Sequence, residues 1–396
     1  MPTLADRWSP KANSFGLLRV SMAFGVLLAH SWPLGFALPN AGDSLTAHQT
    51  DIGTLSLDGL VIVSGFLVTD SGLRFSLREY VWRRFIRIFP GLWTSLVVIA
   101  LVIAPLVAIY ENGNLSGFWT HHDGPFSYIK ANALASMDQF SISGLLSGTP
   151  YGHAGGGPSA FQGSLWSLRY EFGCYVVIAI LIATAAQRRW PRTVLVMAGV
   201  AYLLVLRDVF SASTWTIRPP DNGAIGPIPL VGSFAYTWTL YFGFVFLLGS
   251  AMRLYLHRVR MHRVLAAVAV LLIVMTMWRG GWLAIGLPAF AYLVIYLAVA
   301  LPAPFTRLGR TRDYSFGLLL YGFTIQQVVA LVGGARWGVP TYFLLSAVGT
   351  LACAVLSWHL VERPAMKLKD RKLLRRRRPE LVVDAVVADA AQAVAR

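Results

Sequence analysis

The feature that most constrains this chain is the recurrence of apolar stretches of roughly 18 or more residues, each long enough to cross a hydrocarbon core of about 30 Å as a helix. Runs such as Leu92 to Ile109 and Val264 to Met277 are almost wholly apolar and free of charge. They lack the alternation of barrel strands, which leaves helices, whose backbone groups are satisfied within each segment. Composition agrees, since 56% of the 396 residues are hydrophobic and only 13% are charged. Spans are expected near 14–32, 53–71, 91–110, 165–186, 193–210, 234–251, 264–278, 281–301, 314–333 and 341–361. The expected fold is therefore all-α, a polytopic bundle of about ten transmembrane helices.

A formal net charge of +16 would suggest nucleic acid as a partner in a soluble protein. Its placement gives a different account. With the amino terminus inside, the cytoplasmic segments hold Arg7, Lys11, the Arg74 to Arg87 group, Arg188, Arg189, Arg192, the Arg253 to Arg263 group, Arg307, Arg310, Arg312 and the basic tail. That is the great majority of the 34 basic residues, and the positive-inside rule then sets both termini in the cytoplasm of a multi-pass protein of the cell (inner) membrane. Membrane lipid is an expected partner and nucleic acid is not. Three regions follow: a polar segment at 1–13, a transmembrane domain at 14–362 whose first helix serves as an uncleaved signal anchor, and a tail at 363–396. The tail carries Arg375 to Arg378 and reads as a disordered, topogenic, headgroup-binding segment. The longest connection, Glu111 to Gly163, lies outside. Cys174 and Cys353 fall in apolar segments, so neither disulfide nor thiol chemistry is expected, and no metal site is read.

Ionisable side chains inside spans are expensive and are default functional candidates. Arg19 and His30 in the first span are eleven positions apart, which returns to nearly the same helix face roughly 16 Å further along. Arg19 then lies toward the cytoplasm, where a guanidinium suits a phosphate-bearing ligand, and His30 toward the outside, where an imidazole suits proton transfer. Asp58 in the second span and Arg169 and Glu171 in the fourth are expected in the outer half, at the depth of His30. Ser64 stands near the middle of its span. Arg83 and Arg87 are one helical turn apart, with Arg84 about 100° aside, a dense cationic surface at the inner face.

In that order and topology the chain resembles the integral membrane acyltransferase family 3, which O-acylates surface polysaccharides, lipopolysaccharide, nodulation factors and some secondary metabolites. The likeness covers roughly Phe15 to Pro364. It rests on Arg19 and His30 with ten residues between them, Ser64-Gly65-Phe66, and Arg83, Arg84 and Arg87 followed by Pro90. Trp166-Ser-Leu followed by Glu171, Tyr314-Ser-Phe-Gly317 and Glu362-Arg-Pro364 complete it. Gly322 stands where many relatives carry a histidine, and the extracytoplasmic hydrolase-like domain of some relatives is not expected here.

The resemblance implies a membrane O-acyltransferase that moves an acyl group, acetyl in the first instance, from cytoplasmic acyl-CoA to a hydroxyl of an exported or cell-surface carbohydrate or glycolipid. No permanently bound cofactor is implied. Acetyl-CoA is a donor substrate, and export machinery is an expected partner. Arg19, Arg83, Arg84 and Arg87 would hold donor phosphates, while His30 would act as general base or as transient acyl carrier. Asp58 or Glu171 would orient the imidazole, and Arg169 would stabilise the oxyanion. Ser64, Trp166, Tyr314 and Gln326 are candidates for substrate binding. The rival reading is a transporter or flippase for a lipid-linked sugar, against which stand the lack of internal repeats and the two-level Arg19 and His30 arrangement.

Overall fold

A computed structural model describes residues 1–211, 223–228, 232–307, 309 and 312–370. Arg218, Arg310 and the Arg375 to Arg378 run lie outside the described residues. Eight helices are long and apolar enough to cross a membrane: α1 (Phe15–Phe36), α2 (Ile52–Arg74), α3 (Leu77–Asn112), α4 (Gly163–Ala183), α5 (Arg192–Ser211), α6 (Tyr236–Leu254), α8 (Trp282–Ala300) and α10 (Gly334–Lys369). Two shorter apolar helices, α7 (Arg263–Arg279) and α9 (Ser315–Leu331), have 17 residues each. At 1.5 Å per residue they reach about 25 Å, just short of a full hydrocarbon core. The expectation of about ten spans thus meets eight full-length helices and two short ones. Strand structure among the described residues is confined to the hairpin β1 (Ala224–Ile228) and β2 (Gly232–Ala235). The chain is a multi-pass, all-α membrane bundle.

Local sequence explains where the helices begin. Asp51 caps α2 by accepting from the Thr54 amide at 2.9 Å. Ser76 and Glu79 form a reciprocal capping box at the start of α3. Apolar side chains that no other element covers, such as Leu271, Val274 and Trp278 on α7 and Leu344, Val348 and Leu356 on α10, form the surface that faces lipid.

Helices α1, α2, α6 and α9 make the centre of the bundle. Small residues let α2 and α6 touch backbone to backbone. A methyl group built on Gly65 would lie 2.1 Å from the Phe246 carbonyl oxygen, and one on Gly249 would lie 2.1 Å from that of Ile62. Close approaches of Gly53 to Ala29, Gly25 to Ser56 and Gly59 to Met22 fix the antiparallel register of α1 against α2. That register decides which side chains share a depth. Asp51, rather than Asp58, stands level with His30, and Asp58 lies about 10 Å deeper. Ser64 stands at the level of Arg19.

The long connection between α3 and α4 is packed. Phe118, Tyr128, Met137, Ile142, Leu146 and Phe161 are buried in one cluster with residues of α3 and α9. Gln162 ties it down, donating to Ser95 Oγ at 3.1 Å and to the Leu320 carbonyl at 3.0 Å while accepting from Tyr128 Oη at 2.6 Å. These bonds hold the connection over one end of the bundle, beside His30.

Candidate active site

Two cavities lie end to end between the helices. The outer one, about 180 Å³, is lined by His30, Asp51, Thr54, Trp166, Glu171, Trp238 and Phe242, among others. The inner one, about 110 Å³, is lined by Arg19, Ser64, Arg84, Arg87, Glu171 and Tyr175 with apolar neighbours. At roughly 10–15 Å³ per water, each has room for a group of several heavy atoms. Leu60, Leu168, Glu171, Phe316 and Leu319 line both and so form the partition between them.

The inner cavity is an arginine cluster. Asp313 Oδ2 lies 3.1 Å from Arg19 Nη1 and 2.5 Å from Arg87 Nη2, and Glu362 lies 3.9 Å from Arg87 on its other side. Burial pushes the Asp313 carboxyl up, but Arg19, Arg87 and the hydrogen bonds from Ser315 outweigh it and hold the group at about 2. A π-helical turn at Trp358–Glu362 brings Glu362 into this cluster, where Ser357 donates to it at 3.0 Å. Arg84 differs from Arg19 and Arg87. Its guanidinium stands 5.6 Å from the Tyr175 ring and 5.9 Å from the Tyr80 ring, and among the described residues no carboxylate pairs with it. Arg83 turns away from the cavity and stacks on Phe75, 3.8 Å from the ring centre.

At the partition Glu171 Oε1 accepts from Ser64 Oγ at 2.7 Å and from the Tyr175 hydroxyl, which itself lies 3.0 Å from Ser64 Oγ. The fourth span therefore sets Glu171 beside Ser64, between the two levels. The Ser-Gly-Phe element is thereby explained residue by residue. Ser64 joins the carboxylate, Gly65 admits α6, and Phe66 packs in a cluster with Trp8 and Phe15.

The outer cavity is built differently. His30 meets the Phe323 ring edge to face at 5.6 Å, and among the described residues no side chain hydrogen-bonds the imidazole. Trp166, Trp238 and Phe242 form an aromatic wall, with Trp166 and Trp238 at 4.9 Å and 62°. Tyr151 of the long connection also meets Phe323 edge to face, at 5.7 Å.

Besides Arg83, four candidates from the sequence lie elsewhere. Asp58 is buried and accepts from Tyr241 Oη at 2.7 Å, joining α2 to α6. Arg169 points toward the hairpin and the long connection, donating to the Ser233 carbonyl at 2.6 Å, the Met137 carbonyl at 2.8 Å and Asp138 at 3.0 Å. Gln326 stitches α9 to α1 through the Leu27 carbonyl at 2.9 Å and Ser31 Oγ at 3.1 Å. Tyr314 lies 3.4 Å from His359 Nε2 at the basic end. Gly322 faces Leu27 of α1, and a methyl group there would lie 3.0 Å from its Cδ1, so α9 and α1 pass close at this position.

Sequence reasoning overlooked Asp51, Tyr175, Trp238, Phe242 and Asp313. Asp51 reads in sequence only as a helix cap. The available signal for Asp313 was its position next to Tyr314-Ser-Phe-Gly317.

A multi-pass helical bundle with an arginine-lined cavity at one depth and a histidine-lined cavity at another defines an integral membrane protein with two chemically distinct cavities between its helices. The chain belongs to the acyltransferase family whose domain model (Acyl_transf_3, Acyltransferase domain) matches residues 13–359. It is similar to "Nodulation protein 10" of Rhizobium leguminosarum bv. viciae, 28% identical over 92% of this chain and 96% of that one. It is also similar to the "O-acetyl transferase" of Shigella phage Sf6, 25% identical over 94% and 99%. No solved structure matches it. The protein is a membrane O-acyltransferase.

Proposed function

We propose that the enzyme transfers an acetyl group from cytoplasmic acetyl-CoA to a hydroxyl of a carbohydrate presented at the outer face of the cell membrane. The observation that carries this reading is the junction of the two cavities, cationic at the Arg19 level and histidine-bearing roughly 16 Å away. An extended phosphopantetheine arm spans about that distance, at around 3.3–3.6 Å per peptide-like unit. Phosphates held at Arg84, Arg87 and Arg19 leave the thioester within reach of His30. The aromatic wall of Trp166, Trp238 and Phe242 offers an apolar face against which a sugar ring can lie.

In the proposed step His30 takes the proton of the acceptor hydroxyl as its oxygen attacks the thioester carbonyl. The tetrahedral intermediate collapses by breaking the carbon–sulfur bond, and the thiolate leaves with the proton carried by the imidazolium. Asp51, at the same depth, supports the imidazolium formed in between. No relay through a second histidine is needed in this scheme.

The test is acyl transfer in membranes at matched expression, followed by mass spectrometry of the surface glycan. The mass increment names the acyl group and its location names the acceptor. An unchanged glycan in the presence of active protein overturns the carbohydrate assignment.

A further inference from the structure

Part of the connection between α3 and α4 descends along the side of the bundle. Trp93 Nε1 donates to the Ala133 carbonyl at 2.8 Å. Along α3, Trp93 stands about 9 Å beyond Arg87, which shares Asp313 with Arg19, whereas His30 lies roughly 16 Å beyond Arg19. Ala133 is therefore roughly 7 Å deeper in the bundle than His30. Arg169 gives a similar depth independently. It precedes Glu171 of the partition by two positions and holds the Met137 and Ser233 carbonyls at 2.8 and 2.6 Å.

Here the chain leaves the short helix Pro125–Asn132 and turns without regular structure, at a depth where backbone groups need partners from the protein. Side chains supply them. Buried Asn132 donates to the Gln139 carbonyl at 2.7 Å, and Gln139 donates to the Asp123 and Ser141 carbonyls at 3.0 and 2.9 Å. Beside this turn lies a groove of about 530 Å³, lined by Ser127, Lys130, Leu134, Asp138, Gln139 and Gly232, among others. Phe126, Leu134 and, on α3, Trp93 are exposed around it, so the groove opens on a lipid-facing side of the bundle.

Its charge is unbalanced. Asp138 pairs with Arg169 at 3.0 Å, but among the described residues no carboxylate lies within ion-pair distance of Lys130. Orientation in the membrane does not explain this lysine, which is the only basic residue between Arg87 and Arg169 and lies on the side opposite the basic loops. A cationic groove at this depth, edged by aromatic and aliphatic side chains, is complementary to a molecule with an anionic head and apolar chains.

We propose that the groove holds the phosphate headgroup of a lipid in the leaflet opposite the basic loops. Lys130 binds the phosphate, and Phe126, Leu134 and Trp93 lie against the chains. A compact ammonium on a flexible stem suits such a phosphate as a point charge. The site stands one helix away from the outer cavity, because α4 carries Trp166 and Leu168 on the cavity wall and Arg169 toward the turn. It does not depend on the donor or acceptor assigned above.

The experiment places the full chain in phosphatidylcholine nanodiscs with a trace of phosphatidylglycerol bearing a photoreactive acyl chain, and maps cross-linked peptides by mass spectrometry. Wild type is expected to label residues 125–139 about tenfold more strongly than with the matching photoreactive phosphatidylcholine, as a charge-assisted contact would give. Lys130→Gln should abolish that preference and Lys130→Arg should keep most of it, while Phe126→Ala should lower labelling by both lipids. Labelling at the basic loops is the internal reference and should stay constant. If residues 125–139 show no preference for phosphatidylglycerol, or Lys130→Gln keeps the preference at an unchanged melting temperature, the proposal is overturned. If inorganic phosphate at constant ionic strength abolishes the preference, the site takes a free anion in place of a lipid and the proposal is likewise overturned.

Discussion

His30 and Arg19 share one face of α1 but serve different cavities, so their removal should have different kinetic signatures. His30→Ala is expected to lower kcat by at least about 100-fold with little change in the KM for donor, the scale typical of a general base. Arg84→Gln should instead raise the donor KM about tenfold at nearly constant kcat, because Arg84 is the lining arginine without a carboxylate partner among the described residues. Steady-state assays with varied acyl-CoA separate the two; equal effects on kcat and KM from both variants would contradict the two-cavity scheme. Asp313 makes a pH-dependent contribution. Its carboxyl sits at about 2 against an ordinary 3.8, so the stabilisation is present above the ordinary value and is lost as pH falls from there through 2. Thermal melting of purified protein across that interval should show a loss of stability that Asp313→Asn lacks. A wild-type curve that is flat there would count against the Arg19–Asp313–Arg87 link.

At the scale of elements, packing at the crossing of α2 and α6 decides whether the partition forms at all. Gly65→Ala places a methyl group against a backbone carbonyl that cannot rotate away. It should destabilise the protein by about 1–3 kcal/mol, read as a lower melting temperature in detergent, and should reduce activity by shifting the neighbouring Ser64. Helix positions were legible in the sequence because continuous apolar runs announce themselves. Depth within the bundle was only partly legible. Asp58 was expected level with His30, but antiparallel register brings Asp51 there instead, and a capping aspartate looks the same whether or not a cavity adjoins it. Arg169 and Glu171 are two residues apart, so about 200° separates them on a helix. One turns to the long connection and the other to the partition, a divergence that spacing foretells once the helix is oriented. Asp313, apart from its place next to Tyr314-Ser-Phe-Gly317, and Tyr175 were hard to read because each has a partner more than one hundred residues away, as with the Asp313 bond to Arg87 and the Tyr175 contact with Ser64.

For the whole molecule, the distribution of basic residues and the order of the two cavities make a single statement about sidedness. Single cysteines introduced at Lys11 and Asn114, on a background lacking Cys174 and Cys353, should react with a membrane-impermeant thiol reagent from opposite faces. Reaction of both from the same face would remove the proposed orientation. The central claim is that donor and acceptor meet across the bilayer, each entering its own cavity. Reconstitution in sealed, oriented proteoliposomes tests this most directly, with acetyl-CoA supplied only on the side of the basic loops and the carbohydrate acceptor trapped only on the other. The account predicts acetylated acceptor in the opposite compartment, abolished by His30→Ala, and transfer only when both substrates share one compartment would contradict it.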